Sequence, residues 1–182
     1  MRLPQDEREL VFVSDFEEPL LNGRRLLRLA DLPPSDRVVI AVGDPKARRA
    51  IGQRCEEAGL TFGSVKAPDH ICYDAVEVGE VAICCAGTIF TSNLTIGRHF
   101  HANLNAYVAH DCRIGNYVTF APNVCCNGNV TIGDGVYVGT GALLKPGITI
   151  GEGATTGMGA VVVADVAPGQ TVVGNPARPL AR

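Results

Sequence analysis

Residues 96–133 read IGRHFHANLNAYVAHDCRIGNYVTFAPNVCCNGNVTIG, and this stretch decides the fold. A Val-Gly or Ile-Gly pair recurs every eighteen residues, from Val78-Gly79 to Ile150-Gly151. Between these pairs, two places in every six hold small or apolar side chains, which matches neither the period of an α-helix nor that of a β-strand. A strict six-residue repeat is typical of a parallel β-helix. The sequence therefore predicts this fold for at least half of the chain.

The repeat also separates interior from exterior positions. We number each hexad so that the Val or Ile of these pairs takes the first place and the glycine the second. The first places, from Val78 to Val162, and the fifth places, from Ala82 to Ala160, are expected to point inward. Glycine at the second place permits a tight corner. Because one coil cannot bury its own core, stacking provides the stability, and uncovered apolar surface favours closed three-fold assembly.

The chain divides into three predicted regions. Residues 1–66 lack the repeat and are expected to form a small α/β domain with strands at 9–14, 37–42 and 61–65, whereas 17–35 is mostly loop. Asp44 and Pro45 begin a helix that Gly59 ends, with Ala47, Ile51, Cys55 and Ala58 at helical spacing, so a β-α-β unit is predicted. Residues 67–165 form the β-helix, and 166–182 form a Pro/Gly-rich tail.

Composition excludes several classes of partner. A net charge of −3, a pI near 5.8 and the absence of a Lys/Arg run argue against nucleic acid and anionic membranes as partners. No apolar signal segment begins the sequence, so we expect a cytoplasmic protein. None of the seven cysteines forms a C-x-x-C pair, which favours reduced packing residues over disulfides or zinc.

One His-Asp dipeptide is a candidate for catalysis. His110 takes the third hexad place, which cannot point inward, and Asp111 follows it. An outward imidazole beside a carboxylate can act as a general base. Gly128 takes the same place one coil later, where its N–H could polarise an acyl carbonyl, although an ordinary corner glycine explains it equally well. Cys112 takes an interior place and is a poor nucleophile.

His99 and His101 flank the interior Phe100 and are expected on the same outward side of one strand. Two imidazoles could hold a metal, but no third ligand with suitable spacing lies nearby. Solvated or interface histidines are the preferred interpretation, and no metal is expected.

Several stretches resemble the sugar O/N-acyltransferases of the sialic acid O-acetyltransferase family. Within it, the chain is most similar to bacterial N-acetyltransferases of nucleotide-linked 4-amino sugars. The matching stretches are NLNAYVAHDCRIG (103–115), NVCCNGNVTIG (123–133), VGNPAR (173–178) and IAVGD (40–44), the last followed by Arg48 and Arg49.

The resemblance implies a left-handed β-helix, a homotrimer with active sites between subunits, acetyl-CoA as cosubstrate and direct transfer to the 4-amino group of a nucleotide-linked 4-amino-4,6-dideoxysugar. His110 would be the general base, Asp111 its support, and Asn103 would lie near the acceptor. Asp15, Gly43 and Asp44 would face the nucleotide. The implied acetyl-CoA contacts are Gly128, Gly141, Gly157, Gly159, Gly174, Asn175, Pro176 and Arg178.

Two features depart from the family pattern. The family's first strand and Gly-rich phosphate loop have no counterpart before residue 9, and Thr119 stands where some members have a second histidine. The alternatives are therefore an O-acetyltransferase acting on sialic acid or another sugar, and a non-catalytic or metal-binding β-helix.

Overall fold

A computed structural model of the protein describes residues 11–14, 20–21 and 23–181. Short parallel strands stack into three sheets, the faces of a triangular prism, and this parallel β-helix confirms the predicted architecture. It fits the left-handed class that the hexapeptide repeat implies. The description covers a single chain, so the trimer stays a prediction.

Up to β22, each face contains one strand from every coil, with neighbours eighteen residues apart. The first face consists of β7 (Ile71–Cys72), β10 (Ile89–Phe90), β13 (Tyr107–Val108), β16 (Cys125–Cys126), β19 (Leu143–Leu144) and β22 (Val161–Val162). The second consists of β8 (Val76–Val78), β11 (Leu94–Ile96), β14 (Arg113–Ile114), β17 (Thr131–Ile132) and β20 (Thr149–Ile150). The third consists of β6 (Val65–Lys66), β9 (Ile83–Cys84), β12 (His101–Ala102), β15 (Thr119–Phe120), β18 (Tyr137–Val138), β21 (Thr155–Thr156), β23 (Thr171–Val173) and β24 (Arg178–Pro179).

The prism interior follows the predicted register. Every first place from Cys84 to Val162 is at most 4 % exposed, and every fifth place from Ala82 to Ala160 at most 5 %. Cys112 and Cys126 are fully buried there, as predicted, and all seven cysteines, which lie within the described residues, are free. Because stacked residues are chemically alike, the core is continuous along the axis.

Three corners connect the faces, and we name them in chain order. Corner A joins the first face to the second, corner B the second to the third, and corner C the third to the first. Corner A comprises residues 91–93, 109–112, 127–130 and 145–148. Corner B comprises residues 79–82, 97–100, 115–118, 133–136 and 151–154. Corner C comprises residues 85–88, 103–106, 121–124, 139–142 and 157–160. The fourth hexad place at many corners is left-handed, with φ near +60°, which favours Gly, Asn and Asp.

The N-terminal region contains the predicted β-α-β unit and one unpredicted hairpin. β4 (Arg37–Val38) pairs in parallel with β5 (Thr61–Phe62), and α1 (Pro45–Glu57) connects them. The loop expected at 17–35 is wrong, because β2 (Leu20–Leu21) and β3 (Arg24–Leu27) pair antiparallel and a 3-10 turn (Leu29–Asp31) follows. β1 (Phe12–Val13) joins this hairpin, within the strand predicted at 9–14, whose first residues lie outside the described residues.

Helix α1 begins as predicted but buries a different face. Asp44 Oδ1 accepts a hydrogen bond from the Ala47 N–H at 2.7 Å, and Pro45 occupies the first turn. The buried helix residues are Pro45, Arg48, Gly52 and Cys55, whereas the expected Ala47 and Ala58 are exposed. The predicted apolar stripe was therefore displaced, because the helix presents a guanidinium to the prism.

Arg48 attaches α1 to corner B. Its side chain is buried, and its guanidinium donates to the carbonyl oxygens of His99 (3.1 Å), Tyr117 (2.9 Å) and Val118 (3.2 Å). It also donates to the carbonyls of Val42 and Gly43, just before the helix. One side chain therefore joins two coils, the helix and the turn that precedes it.

The coils extend beyond both predicted limits of the repeat. Val65 already pairs with Ile83, so stacking begins before residue 67. At the other end, Val166 forms a β-bridge with Ile150 on the second face, and β23 pairs in parallel with β21 on the third. The tail therefore extends these two faces before β24 turns back and pairs antiparallel with β23. These additions satisfy backbone groups that the last full coil would otherwise expose. No helix in the described ranges is both long and apolar enough to cross a membrane.

Candidate active site

The His110–Asp111 pair lies at corner A with both side chains exposed, by 64 % and 50 %. His110 Nδ1 is 2.7 Å from Asp111 Oδ2, so the two neighbours in sequence do make contact. Asp111 has φ +61°, and this left-handed conformation accompanies the approach of its carboxylate to the preceding ring. An ionised carboxylate only accepts, so Nδ1 is the donor and Nε2 is left as the basic nitrogen.

Two donors stabilise the Asp111 carboxylate. The hydrogen bond from His110 is the main cause that lowers its pKa below the ordinary value, and a second one from Asn93 Nδ2 to Oδ1, at 3.2 Å, adds to it. The sequence interpretation overlooked Asn93, although it lies eighteen residues before Asp111 at the same hexad place. Counting in the register would have found it.

Gly128 lies directly against the His110 ring, one coil further along the prism. A Cβ on Gly128 would lie 2.6 Å from His110 Cε1 and 2.8 Å from Nε2, so any side chain at this position would displace the imidazole. The space beside Gly128 is therefore filled by the ring itself. Among the residues that the structure describes, none accepts a hydrogen bond from the Gly128 N–H, whereas the flanking Asn129 N–H donates to the His110 carbonyl at 2.8 Å.

The other glycines implied for acetyl-CoA lie at a different corner. Gly141 and Gly159 are left-handed residues of corner C, and a Cβ on either would meet no atom within 4 Å. A Cβ on Gly157 would lie 2.7 Å from Val173 Cγ1, so this glycine lets β23 approach the last coil. The structure thus separates this set from His110 and Gly128 within one chain.

The VGNPAR stretch lies next to corner C. The Val161 N–H donates to the Gly174 carbonyl, and the Ala177 N–H donates back to the Val161 carbonyl at 2.8 Å. The Asn175–Pro176 peptide bond is cis, and Arg178 is exposed in β24. The tail therefore extends the corner C surface beyond Gly159.

The residues implied for the acceptor and nucleotide lie in two separate places. Asn103 lies at corner C, where its Oδ1 accepts from the Leu104 N–H. Gly43 lies over the third face, and its carbonyl accepts from Thr119 Oγ1 at 2.7 Å; Asp44 caps α1 beside it. Asp15 lies outside the described residues.

His99 and His101 are buried rather than solvated, contrary to expectation. The His99 ring stacks on Tyr117 at 4.4 Å, meets Phe62 edge-on, and is 1 % exposed beneath α1; His101 is 9 % exposed. Burial, together with the nearby Arg98 and Arg48, lowers the pKa of His99 to about 4; burial and Arg48 lower that of His101 to about 4. Both rings are neutral core residues in the single chain. Across the described ranges, no three His, Cys, Asp or Glu side chains converge as metal ligands.

The chain is similar in sequence and fold to known transferases. Residues 129–164 match the family described as bacterial transferase hexapeptide (six repeats). GDP-perosamine N-acetyltransferase of Escherichia coli O157:H7 is 44 % identical over 148 residues, which span 79 % of this chain and 67 % of that protein. The structure of WeeI from Acinetobacter baumannii AYE superposes with a TM-score of 0.89 and 43 % identity, covering 93 % of this chain and 85 % of WeeI.

A third relative has been solved with a cosubstrate. The acetyltransferase domain of PglB from Neisseria gonorrhoeae FA1090, in complex with acetyl coenzyme A, has a TM-score of 0.84 and 30 % identity over 94 % of this chain and 86 % of that one. The chain therefore belongs to the hexapeptide-repeat sugar acyltransferases, the family of these N-acetyltransferases, and is itself an acyltransferase.

Proposed function

We propose that the protein transfers the acetyl group of acetyl-CoA to the 4-amino group of a nucleotide-linked 4-amino-4,6-dideoxysugar. The observation that carries the proposal is the His110–Asp111 contact of 2.7 Å at an exposed corner, against a glycine whose N–H has no described partner. Its occurrence in a chain that is 44 % identical to a GDP-perosamine N-acetyltransferase favours an amine as acceptor.

The reaction is a direct transfer. The neutral amine attacks the thioester carbonyl, a C–N bond forms, and the C–S bond then breaks. His110 Nε2 takes the proton from the amine, and Asp111 stabilises the resulting imidazolium through Nδ1. The proton then passes to the departing CoA sulfur, which leaves as the thiol. The Gly128 N–H would stabilise negative charge on the carbonyl oxygen. No covalent enzyme intermediate is needed, since Cys112 is fully buried.

A homotrimer with shared active sites accounts for the separation between corners A and C. The outward side chains of the first face are all apolar, whereas those of the second face are polar or charged. The first set is Ile71, Ile89, Tyr107, Cys125, Leu143 and Val161, and the second is Glu77, Thr95, Arg113, Thr131 and Thr149. Ile71 and Leu143 are 44 % and 42 % exposed in the single chain.

The first face lies between corners C and A. If three copies turn this face toward a common axis, corner A of each copy meets corner C of the next. His110 and Gly128 of one copy then face Gly141 and Gly159 of its neighbour, with open glycine surface for the thin pantetheine chain. The turn at Gly43 and Asp44 would contact the nucleotide. Leu143→Glu is expected to yield monomers in light scattering, with little activity; an active monomer would contradict the shared site.

The function is tested by CoA release, measured with a thiol reagent, from acetyl-CoA and UDP-, GDP- or dTDP-linked 4-amino sugars. His110→Ala should lower kcat/KM by about a hundredfold or more while assembly is retained. Glu152→Ala is the matched control, since Glu152 takes the same hexad place at corner B and is exposed. Wild-type turnover by His110→Ala would exclude the proposed base. If CoA appeared only with hydroxyl acceptors, the protein would be an O-acetyltransferase.

A further inference from the structure

Asn93 and Asp111 occupy equivalent positions on successive coils of corner A. Both are fourth hexad residues with left-handed backbones, at φ +56° and +61°, and the Asp111 N–H donates to the Ser92 carbonyl at 3.1 Å. Two side chains that leave equivalent backbones one coil apart project side by side. The Asn93 amide is therefore held next to the Asp111 carboxylate by the stacking itself.

The two carboxylate oxygens of Asp111 have different partners. Oδ1 accepts from Asn93 Nδ2 at 3.2 Å, and Oδ2 accepts from His110 Nδ1 at 2.7 Å. A carboxylate bonded through one oxygen alone can turn about its Cβ–Cγ bond, and water competes for it because the pair is exposed. The second donor restricts this rotation and keeps Oδ2 directed at the imidazole.

Orientation matters for the chemistry because the two histidine tautomers are not equivalent. Only the ring that carries its proton on Nδ1 presents a basic Nε2, and the Asp111 bond selects that tautomer. The chain of contacts thus runs from the Asn93 amide to the carboxylate, then to Nδ1–H, and leaves Nε2 for the incoming proton.

We propose that Asn93 is a positioning residue of the acetyl transfer, whose amide orients Asp111 so that His110 is kept in the catalytic tautomer. This inference rests on the proposed function of His110 as the base. It assigns to Asn93 no contact with either substrate.

The test uses two variants that suit a left-handed position. Asn93→Gly removes the amide and leaves the backbone conformation accessible. Asn93→Asp keeps the shape, but its carboxylate cannot donate and faces that of Asp111. In the full chain labelled with ¹⁵N-histidine, the ring nitrogen shifts of His110 should report a smaller Nδ1–H fraction in both variants. The kcat should fall about threefold to tenfold, as expected for one lost hydrogen bond, with both KM values unchanged.

Asn116→Ala is the matched control. Asn116 Nδ2 also donates to a carboxylate one coil later, Asp134 Oδ2 at 3.2 Å, but at corner B. It should leave the His110 spectrum unchanged. A wild-type spectrum and kcat in Asn93→Gly would overturn the inference while His110→Ala stays inactive and the proposed function stands. Full activity of His110→Ala would refute both the role of Asn93 and the proposed function.

Discussion

Replacing Arg48 by Met should release helix α1 from the β-helix. The substitution retains most of the aliphatic stem and removes a guanidinium that is 2 % exposed. The carbonyl oxygens of His99, Tyr117 and Val42 would then lose their only hydrogen-bond donor among the described residues. Because the surroundings are closed by the helix, these oxygens would not all regain a partner from water.

The magnitude follows from two opposing contributions. Three carbonyls without a donor, two of them buried and that of Val42 partly buried, cost about 1–3 kcal/mol each, so about 6 kcal/mol together. Against this, burial lowers the pKa of Arg48 to about 10 from its ordinary 12.5, which corresponds to about 3 kcal/mol of penalty on the buried charge that the variant no longer carries. The net loss of stability is therefore about 3 kcal/mol.

Urea unfolding and amide hydrogen exchange measure this effect. Because Arg48 connects α1 to corner B, the amides of residues 48–57 should exchange much faster in Arg48→Met, while those of the prism core stay protected. Arg49→Met is the control: Arg49 is an exposed neighbour, 3.7 Å from Asp134, whose loss should cost below about 1 kcal/mol. A loss below about 1 kcal/mol in Arg48→Met, with unchanged exchange in α1, would refute this reasoning.

Three further predictions concern the active site and the core. Gly128→Ala should displace the His110 ring and lower kcat about a hundredfold without unfolding the chain, measured by CoA release. Gly157→Ala should push Val173 and the tail away from corner C and raise the KM for acetyl-CoA more than it lowers kcat. Burial lowers the pKa of His99 to about 4, so between pH 6.5 and 4 the unfolded chain binds a proton that the folded chain does not. The free energy of unfolding should therefore fall as the pH drops through this window. His99→Phe should reduce the slope of this free energy against pH, measured by urea unfolding.

Controls for these variants are available in the same chain. Gly63→Ala introduces a Cβ at ordinary contact distances, 3.6 Å or more, and should leave both kcat and the KM for acetyl-CoA unchanged. An unchanged kcat in Gly128→Ala would mean that the ring position is not critical. If the free energy of unfolding falls equally steeply with pH in the wild type and in His99→Phe, other groups cause the acid sensitivity.

The prism could be predicted residue by residue because its period is enforced chemically. Each coil pairs with the next in register, so a residue and its counterpart eighteen positions later share the same environment. A single misplaced polar residue in this narrow interior would be costly, and the sequence records that constraint at nearly every first and fifth place. The exceptions are the small residues Thr88 and Thr156. The same register predicted correctly that His110 points outward and that Gly128 lies one coil above it.

The N-terminal region lacked such a constraint, and there the predictions were less accurate. The hairpin at Leu20–Leu21 and Arg24–Leu27 has too few residues for a periodic signal. The buried face of α1 was misjudged because it was predicted from the spacing of apolar residues alone, in which Arg48 has no part. Its burial depends on carbonyl oxygens more than fifty residues away, such as that of His99, and this tertiary contact leaves no local pattern.

The contact between His110 and Asp111 was also beyond the reach of pattern alone. Side chains adjacent in an extended strand point to opposite faces, so a His-Asp dipeptide does not ordinarily form a dyad. Here Asp111, at the fourth hexad place, has a left-handed backbone, and its side chain approaches that of His110 instead of pointing away from it. The corner that allows tight turning of the coil is thus also what joins the base to its carboxylate.

The apolar first face also bears on the chemistry, because the His110–Asp111 pair lies at its edge. His110 is exposed in the single chain, and a base in bulk water gains little from a nearby N–H or carboxylate. Corner A lies at the edge of the face that has most to gain from burial, so the association that covers Leu143 and Ile71 would also close the His110 corner against a neighbour. Assembly and the exclusion of water from the reacting groups would then be driven by the same apolar surface.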